Sequence, residues 1–169
     1  MSEDEVEQRC PLVNVWLAWI GLPLLALLIG IRTGWLAGVF VLAAGAGFQA
    51  LYVRSFPRWS RMLGYGSVED VPAAAVAAPM PGTPMRVTFY AANVCPFCPI
   101  MRRRLAALQP QLGFEVDEVD VTFRPDIIRA KGLKSVPVIE AHGRLLVGNA
   151  TSQQLAAFLV RGIQATVTS

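Results

Sequence analysis

The stretch Arg86-Val87-Thr88-Phe89-Tyr90-Ala91-Ala92-Asn93-Val94-Cys95-Pro96-Phe97-Cys98 decides how this chain is read. A short apolar strand over Arg86 to Tyr90 leads into two cysteines separated by two residues, and a helical pattern follows over Pro96 to Leu108. Two thiols at this spacing can close an intramolecular disulfide. A helix starting at the first would lower that thiol's pKa through its N-terminal dipole and unpaired N–H groups. Electron exchange between dithiol and disulfide is the chemistry to which the motif points.

Helical geometry separates the two thiols. Cys98, Met101, Leu105 and Leu108 share one stripe that should face a sheet, so Cys98 is expected to be shielded. Cys95, at the helix start, is expected to be exposed and to act as the attacking nucleophile, with Cys98 resolving the mixed disulfide. Pro96 and Pro99 stiffen the loop where missing N–H donors cost least. Downstream, Phe114 to Val121 reads as a strand and Pro125 to Lys131 as a short helix ended by Gly132. Val138 to Ala141 and Arg144 to Val147 form a hairpin across His142-Gly143, and Ser152 to Gly162 is a closing helix. The order β-α-β-α-β-β-α is an α/β pattern with helices covering a small mixed sheet.

Cys95-Pro96-Phe97-Cys98 between the first strand and helix, followed about forty residues later by Ser135-Val136-Pro137 entering a hairpin, resembles the thioredoxin fold in its compact glutaredoxin form. The similarity covers about Met85 to Val160. Phe97 and Ser135 stand where glutaredoxins usually carry tyrosine and threonine. The resemblance implies a disulfide oxidoreductase in which Pro137 is a cis-proline beside the dithiol. Pro96, Phe97, Ser135, Val136 and Pro137 would then line the edge on which a substrate's cysteine strand docks. It implies no bound cofactor. The residues that grip glutathione in that family have no counterpart here: Ala91-Ala92-Asn93-Val94 lacks the basic residue before the first cysteine, and Gly148-Asn149-Ala150-Thr151 lacks a carboxylate. The reductant stays open between glutathione and a protein dithiol.

Other chemistries fit less well. Zinc needs about four ligands, and beyond the pair the chain offers only Cys10 and His142, the latter a hairpin-turn residue. No metal site is expected. Arg102, Arg103 and Arg104 read as a solvated face. With a net charge of only +3 and no aromatic interleaving in this domain, nucleic acid is not indicated.

Upstream, the composition changes. A hydrophobic fraction of 54% over 169 residues is high for a soluble chain. It is concentrated in Leu12 to Ile31 and Gly34 to Val53, each near the roughly twenty residues that a bilayer requires. Only Arg32 and Thr33 separate them, so a two-helix transmembrane hairpin over 12–53 is expected in preference to a buried soluble helix pair. The acidic leader Ser2-Glu3-Asp4-Glu5 and the length of the apolar region argue against a cleaved signal peptide. Small residues at Gly34, Gly38, Ala43 and Gly47 suit close helix packing, within the hairpin or in a dimer. Trp16, Trp19, Trp35, Tyr52, Phe56 and Trp59 fall near the span ends, as an aromatic belt would. Arg9, Arg54, Arg58 and Arg61 lie on one side of the hairpin against Arg32 on the other, which places both chain ends in the cytoplasm.

The chain thus divides into a cytoplasmic N-terminal segment (1–11), the hairpin (12–53), an interfacial segment with a Pro/Ala-rich tether (54–84), and the redox domain (85–169). The expected function is a membrane-anchored oxidoreductase reducing disulfides of proteins near the membrane, its partners being that substrate, the lipid bilayer and a reductant. Two alternatives are a membrane redox sensor whose dithiol switches partner binding without turnover, and an inverted topology with an oxidising external role. Cys10 is read as an idle thiol, with a mixed disulfide to Cys95 as the minor alternative. Neither span contains a cysteine, so electrons should stay on one side of the membrane.

Overall fold

A computed structural model describes residues 3–5, 8–62 and 85–167 of the chain. Two short strands open it, β1 (Glu3–Glu5) and β2 (Cys10–Pro11), and two long helices follow, α1 (Leu12–Thr33) and α2 (Trp35–Met62). The remainder runs β3 (Met85–Ala91), α3 (Cys98–Leu112), β4 (Phe114–Asp120), α4 (Pro125–Lys131), β5 (Ser135–Val136), β6 (Val138–Ala141), β7 (Arg144–Val147) and α5 (Ser152–Val167). The molecule is a mixed α/β structure with two long apolar N-terminal helices and a small mixed sheet.

The main sheet has the order β1-β7-β6-β3-β4. β3 pairs parallel with β4 and antiparallel with β6, and β6 pairs antiparallel with β7. The β6–β7 turn is made by His142 and Gly143, both at positive φ (51° and 70°), as a two-residue hairpin of primed type requires. Consecutive buried residues Phe89, Tyr90 and Ala91 show that β3 is covered on both faces. Met101, Leu105 and Leu108 of α3 and Leu155 and Leu159 of α5 fill the core against Val87, Phe89 and Ile139.

The N-terminal segment, distant in sequence from the α/β unit over 85–167, is part of its sheets. β1 lies parallel on the edge of β7, with Glu3 opposite Leu145. β2 pairs antiparallel with β5, Cys10 opposite Val136 and Pro11 opposite Ser135. α1 begins at the next residue, Leu12, whose N–H donates to the Lys134 carbonyl at 3.2 Å.

Both long helices are long and apolar enough to cross a membrane, and they leave most of their apolar side chains uncovered. Ile31, Phe40 and Phe48 are each about 72–73% exposed. The helices turn on Gly34 alone, at φ 116°, since Arg32 and Thr33 are still helical. Of the small residues, Gly38 packs the hairpin. A Cβ there would sit 2.8 Å from the Ala26 carbonyl oxygen and 3.0 Å from Gly30 Cα, whereas one on Gly47 would meet nothing within 4 Å. α2 continues unbroken through Arg54 to Met62, so the expected interfacial segment is an extension of the second long helix as far as it is described. The tether expected over 71–84 lies outside the described residues.

The hairpin rests on the α/β unit through two aromatic contacts, Trp19 with Phe123 (centroids 5.1 Å apart) and Phe56 with Phe97 (5.5 Å, edge to face).

Candidate functional site

The thiols sit where β3 gives way to α3. Val121 N–H donates to the Ala91 carbonyl at 2.8 Å, closing β3 against the end of β4, and Cys95 N–H donates to Ala92 at 3.1 Å in a tight turn. The helix itself starts at Cys98, with Phe97 as its N-cap residue, and runs on through Pro110 to Leu112. This is later than the expected start at Pro96. Cys95 therefore lies ahead of the first turn, where the helix dipole acts on it less directly.

Cys98 is shielded as expected, at 2% exposure, on the stripe with Met101, Leu105 and Leu108. Cys95 is not exposed as expected: it too is fully buried, at 0%. The cover is the chain's own N-terminus. Strand β2 lies along β5, and Leu12 and Val15 join Cys95 in the core, with Cys10 packed against it. The Cys95 thiol points toward the Val136 carbonyl at 3.9 Å, and the Cys10 and Cys98 thiols are close enough to influence its ionisation. All three cysteines are free thiols.

The electrostatics follow from that crowding. A hydrogen bond from Cys10 pulls the Cys95 pKa down, but the Cys98 thiol, burial and the like charge of a second thiolate outweigh it. Cys95 ends above the ordinary thiol range instead of below it. Cys10 is also pushed up, by its hydrogen bond to Cys95, then by burial and by the Cys95 charge.

The other expected site residues gather here. Ser135 and Val136 form β5, both buried, and the Val136–Pro137 peptide bond is cis, as the resemblance implies. Pro137 accepts a hydrogen bond from Gly148 N–H at 2.9 Å, tying this loop to the end of β7. Pro96 is half-buried, and Phe97 is directed at Phe56 of the long helix α2. One edge of Ser135 and Val136 is occupied by the chain's own Cys10 and Pro11.

Two residues to which the sequence reading gave no place in the site, Arg104 and Asn149, complete it. Arg104, expected on a solvated face, is 2% exposed. It donates through Nη1 to Asn149 Oδ1 and to the Ala150 carbonyl, both at 2.7 Å. Asn149 in turn holds Gln8 twice, its N–H donating to the Gln8 carbonyl at 2.7 Å and its Nδ2 to Gln8 Oε1 at 2.9 Å. The segment Gly148-Asn149-Ala150-Thr151, which lacks a carboxylate for glutathione, thus grips part of its own chain. The signal for Arg104 was in the helical arithmetic: Met101, Arg104, Leu105 and Leu108 follow the i, i+3, i+4, i+7 spacing of one buried face. Arg102, by contrast, is an exposed partner of Glu118.

Among the described residues no three His, Cys, Asp or Glu side chains are arranged to hold a metal ion. Comparison with protein-family models, with curated proteins and with solved structures finds no match for the chain.

Proposed function

We propose that this chain is a membrane-anchored thiol–disulfide oxidoreductase with a glutaredoxin-like thioredoxin fold, working on disulfides of proteins near the membrane. The observation that carries the reading is the placement of Cys95 at the turn before α3, with its thiol beside the Val136 carbonyl at 3.9 Å and Cys98 behind it. The sheet order is consistent with that fold. In the reaction, the Cys95 thiolate attacks one sulfur of a substrate disulfide, forming a mixed disulfide and releasing the first substrate thiolate. Cys98 then attacks Cys95 Sγ, releasing the second thiol and leaving Cys95–Cys98 oxidised. Glutathione or a protein dithiol returns the two electrons.

The exposed apolar surfaces of α1 and α2 support a hairpin in lipid. Phe123, beside Trp19, extends the aromatic residues near the span ends. β1 and β2 belong to the same sheets as the redox domain, which a two-span hairpin allows because it returns the chain to its starting side. The arginine distribution supports the cytoplasm as that side. Tethering at the surface raises the effective concentration of the dithiol toward membrane-bound substrates.

The test is reduction of a protein disulfide by the full chain in detergent micelles, supplied with glutathione or with a thioredoxin-type reductant. Repeated turnover that Cys95→Ser abolishes is the expected result; a single stoichiometric exchange with both reductants would instead make the dithiol a sensor. Labelling of Cys95 in intact cells by a membrane-impermeant maleimide would overturn the cytoplasmic placement.

A further inference from the structure

The thiol opposite Cys95 belongs to the chain itself. Segment 8–12 is fixed on both sides of Cys10: Gln8 is held by Asn149 through backbone and side chain, at 2.7 and 2.9 Å, and Leu12 N–H is held by Lys134 at 3.2 Å. Asn149 is anchored by the buried guanidinium of Arg104. Between these ties, Cys10 pairs in register with Val136, the residue whose carbonyl faces Cys95 Sγ. Any small residue would serve as a cover. A thiol held against a dithiol can also react with it.

We propose that Cys10 is a third exchange thiol of this centre: strand β2 docks as the chain's own substrate, and a disulfide passes between Cys95–Cys98 and Cys10–Cys95. This rests on the dithiol reading above. With β2 lifted from β5, an external disulfide oxidises Cys95 and Cys98 and leaves as two thiols, and β2 docks again. Cys10 then attacks Cys95 Sγ; the Cys10–Cys95 bond forms, the Cys95–Cys98 bond breaks, and the departing Cys98 thiolate takes up the proton that Cys10 releases. No electrons enter or leave in that step. In the reverse direction Cys98 attacks Cys95 Sγ and frees Cys10, after which β2 can lift and an outside cysteine strand can take its edge on β5.

The test uses the full chain in detergent micelles. Cys98→Ser is treated with diamide, which takes up two electrons as its hydrazine, and is mapped by mass spectrometry without reduction. The majority species should carry an intramolecular Cys10–Cys95 link, absent from the Cys10→Ser/Cys98→Ser double variant. Cys10 still fully alkylatable after oxidation, or linked only between chains, overturns the proposal. The unsubstituted chain gives a second measurement that does not depend on the folding of a variant. In glutathione buffers of graded potential, quenched with acid, both disulfide isomers should form in a ratio that does not change with potential, because their exchange is electron-neutral. Cys10 remaining a free thiol at every potential also overturns it. If the Cys95–Cys98 disulfide forms and turns over without any Cys10 link, this proposal fails and the oxidoreductase reading stands. If the link forms but no protein disulfide is reduced, the exchange stands and the enzyme reading fails.

Discussion

Gln8→Ala should expose Cys95 without unfolding the domain. Cys95 is fully buried, so an alkylating agent reaches it only when the segment around Cys10 lifts from β5. The substitution removes one neutral hydrogen bond, Asn149 Nδ2 to Gln8 Oε1, and leaves the backbone bond from Asn149 N–H to the Gln8 carbonyl in place. Such a bond contributes about 0.5–1.5 kcal/mol net. Converted at tenfold per 1.4 kcal/mol, this makes the opened state about 2- to 12-fold more populated. Alkylation slower than reclosing follows that population. With limiting iodoacetamide at fixed pH, quantified on the Cys95 peptide by mass spectrometry, the rate should rise by that factor while the unfolding temperature of the rest of the chain stays unchanged. Arg124→Ala, which removes only an exposed ion pair with Asp126, should leave the rate alone. Equal Cys95 rates in Gln8→Ala and the parent would refute the view that segment 8–11 is the cover.

Other consequences are open to measurement. Arg104→Met leaves Asn149 Oδ1 and the Ala150 carbonyl without their buried donor and should cost about 2–5 kcal/mol in denaturant unfolding, with faster Cys95 alkylation as the Gln8 grip loosens. Gly38→Ala places a methyl group against the backbone of the facing helix and should lower hairpin stability by about 1–3 kcal/mol in micelles, whereas Gly47→Ala should not. The pH profile of stability also has a defined sign. Cys10 and Cys95 are both raised in the folded state, so their contribution is intact below the unfolded thiol pKa of about 8.5 and is lost as pH rises above it. Thermal unfolding should be flat in this respect up to about pH 8.5 and then decline, less steeply in Cys10→Ser.

What could be read from the sequence followed local signals. The β6–β7 hairpin and α4 have the expected bounds because His142-Gly143 and Gly132 are strong turn and stop residues. The stripe from Cys98 to Leu108 identified the buried face of α3. The cover over Cys95 had no such signal: Gln8-Arg9-Cys10-Pro11 has no strand periodicity, its strand is two residues long, and its anchor at Asn149 lies 141 residues away in the chain. Without that cover, a cysteine ahead of a helix reads as exposed and acidified. The three consecutive arginines misled in another way, since charge alone argues for solvent and only the spacing marked Arg104 as a core position. The extra length of α3, to Leu112, crosses Pro110, which a local reading treats as a stop.

The strand order has a consequence for how the chain is made. β1 and β2 leave the ribosome before their partners β7 and β5, which follow both long helices. Every other strand pairing in the sheet is formed among residues 85–147. The two N-terminal strands can dock only once the helices are in place and the α/β unit has been synthesised, so theirs are the longest loops to close and the last sheet contacts to form. Until then the nascent chain holds a partly assembled centre with an unpaired β5 edge and a solvent-facing Cys95. The order of synthesis gives the dithiol an open interval before the N-terminus closes over it.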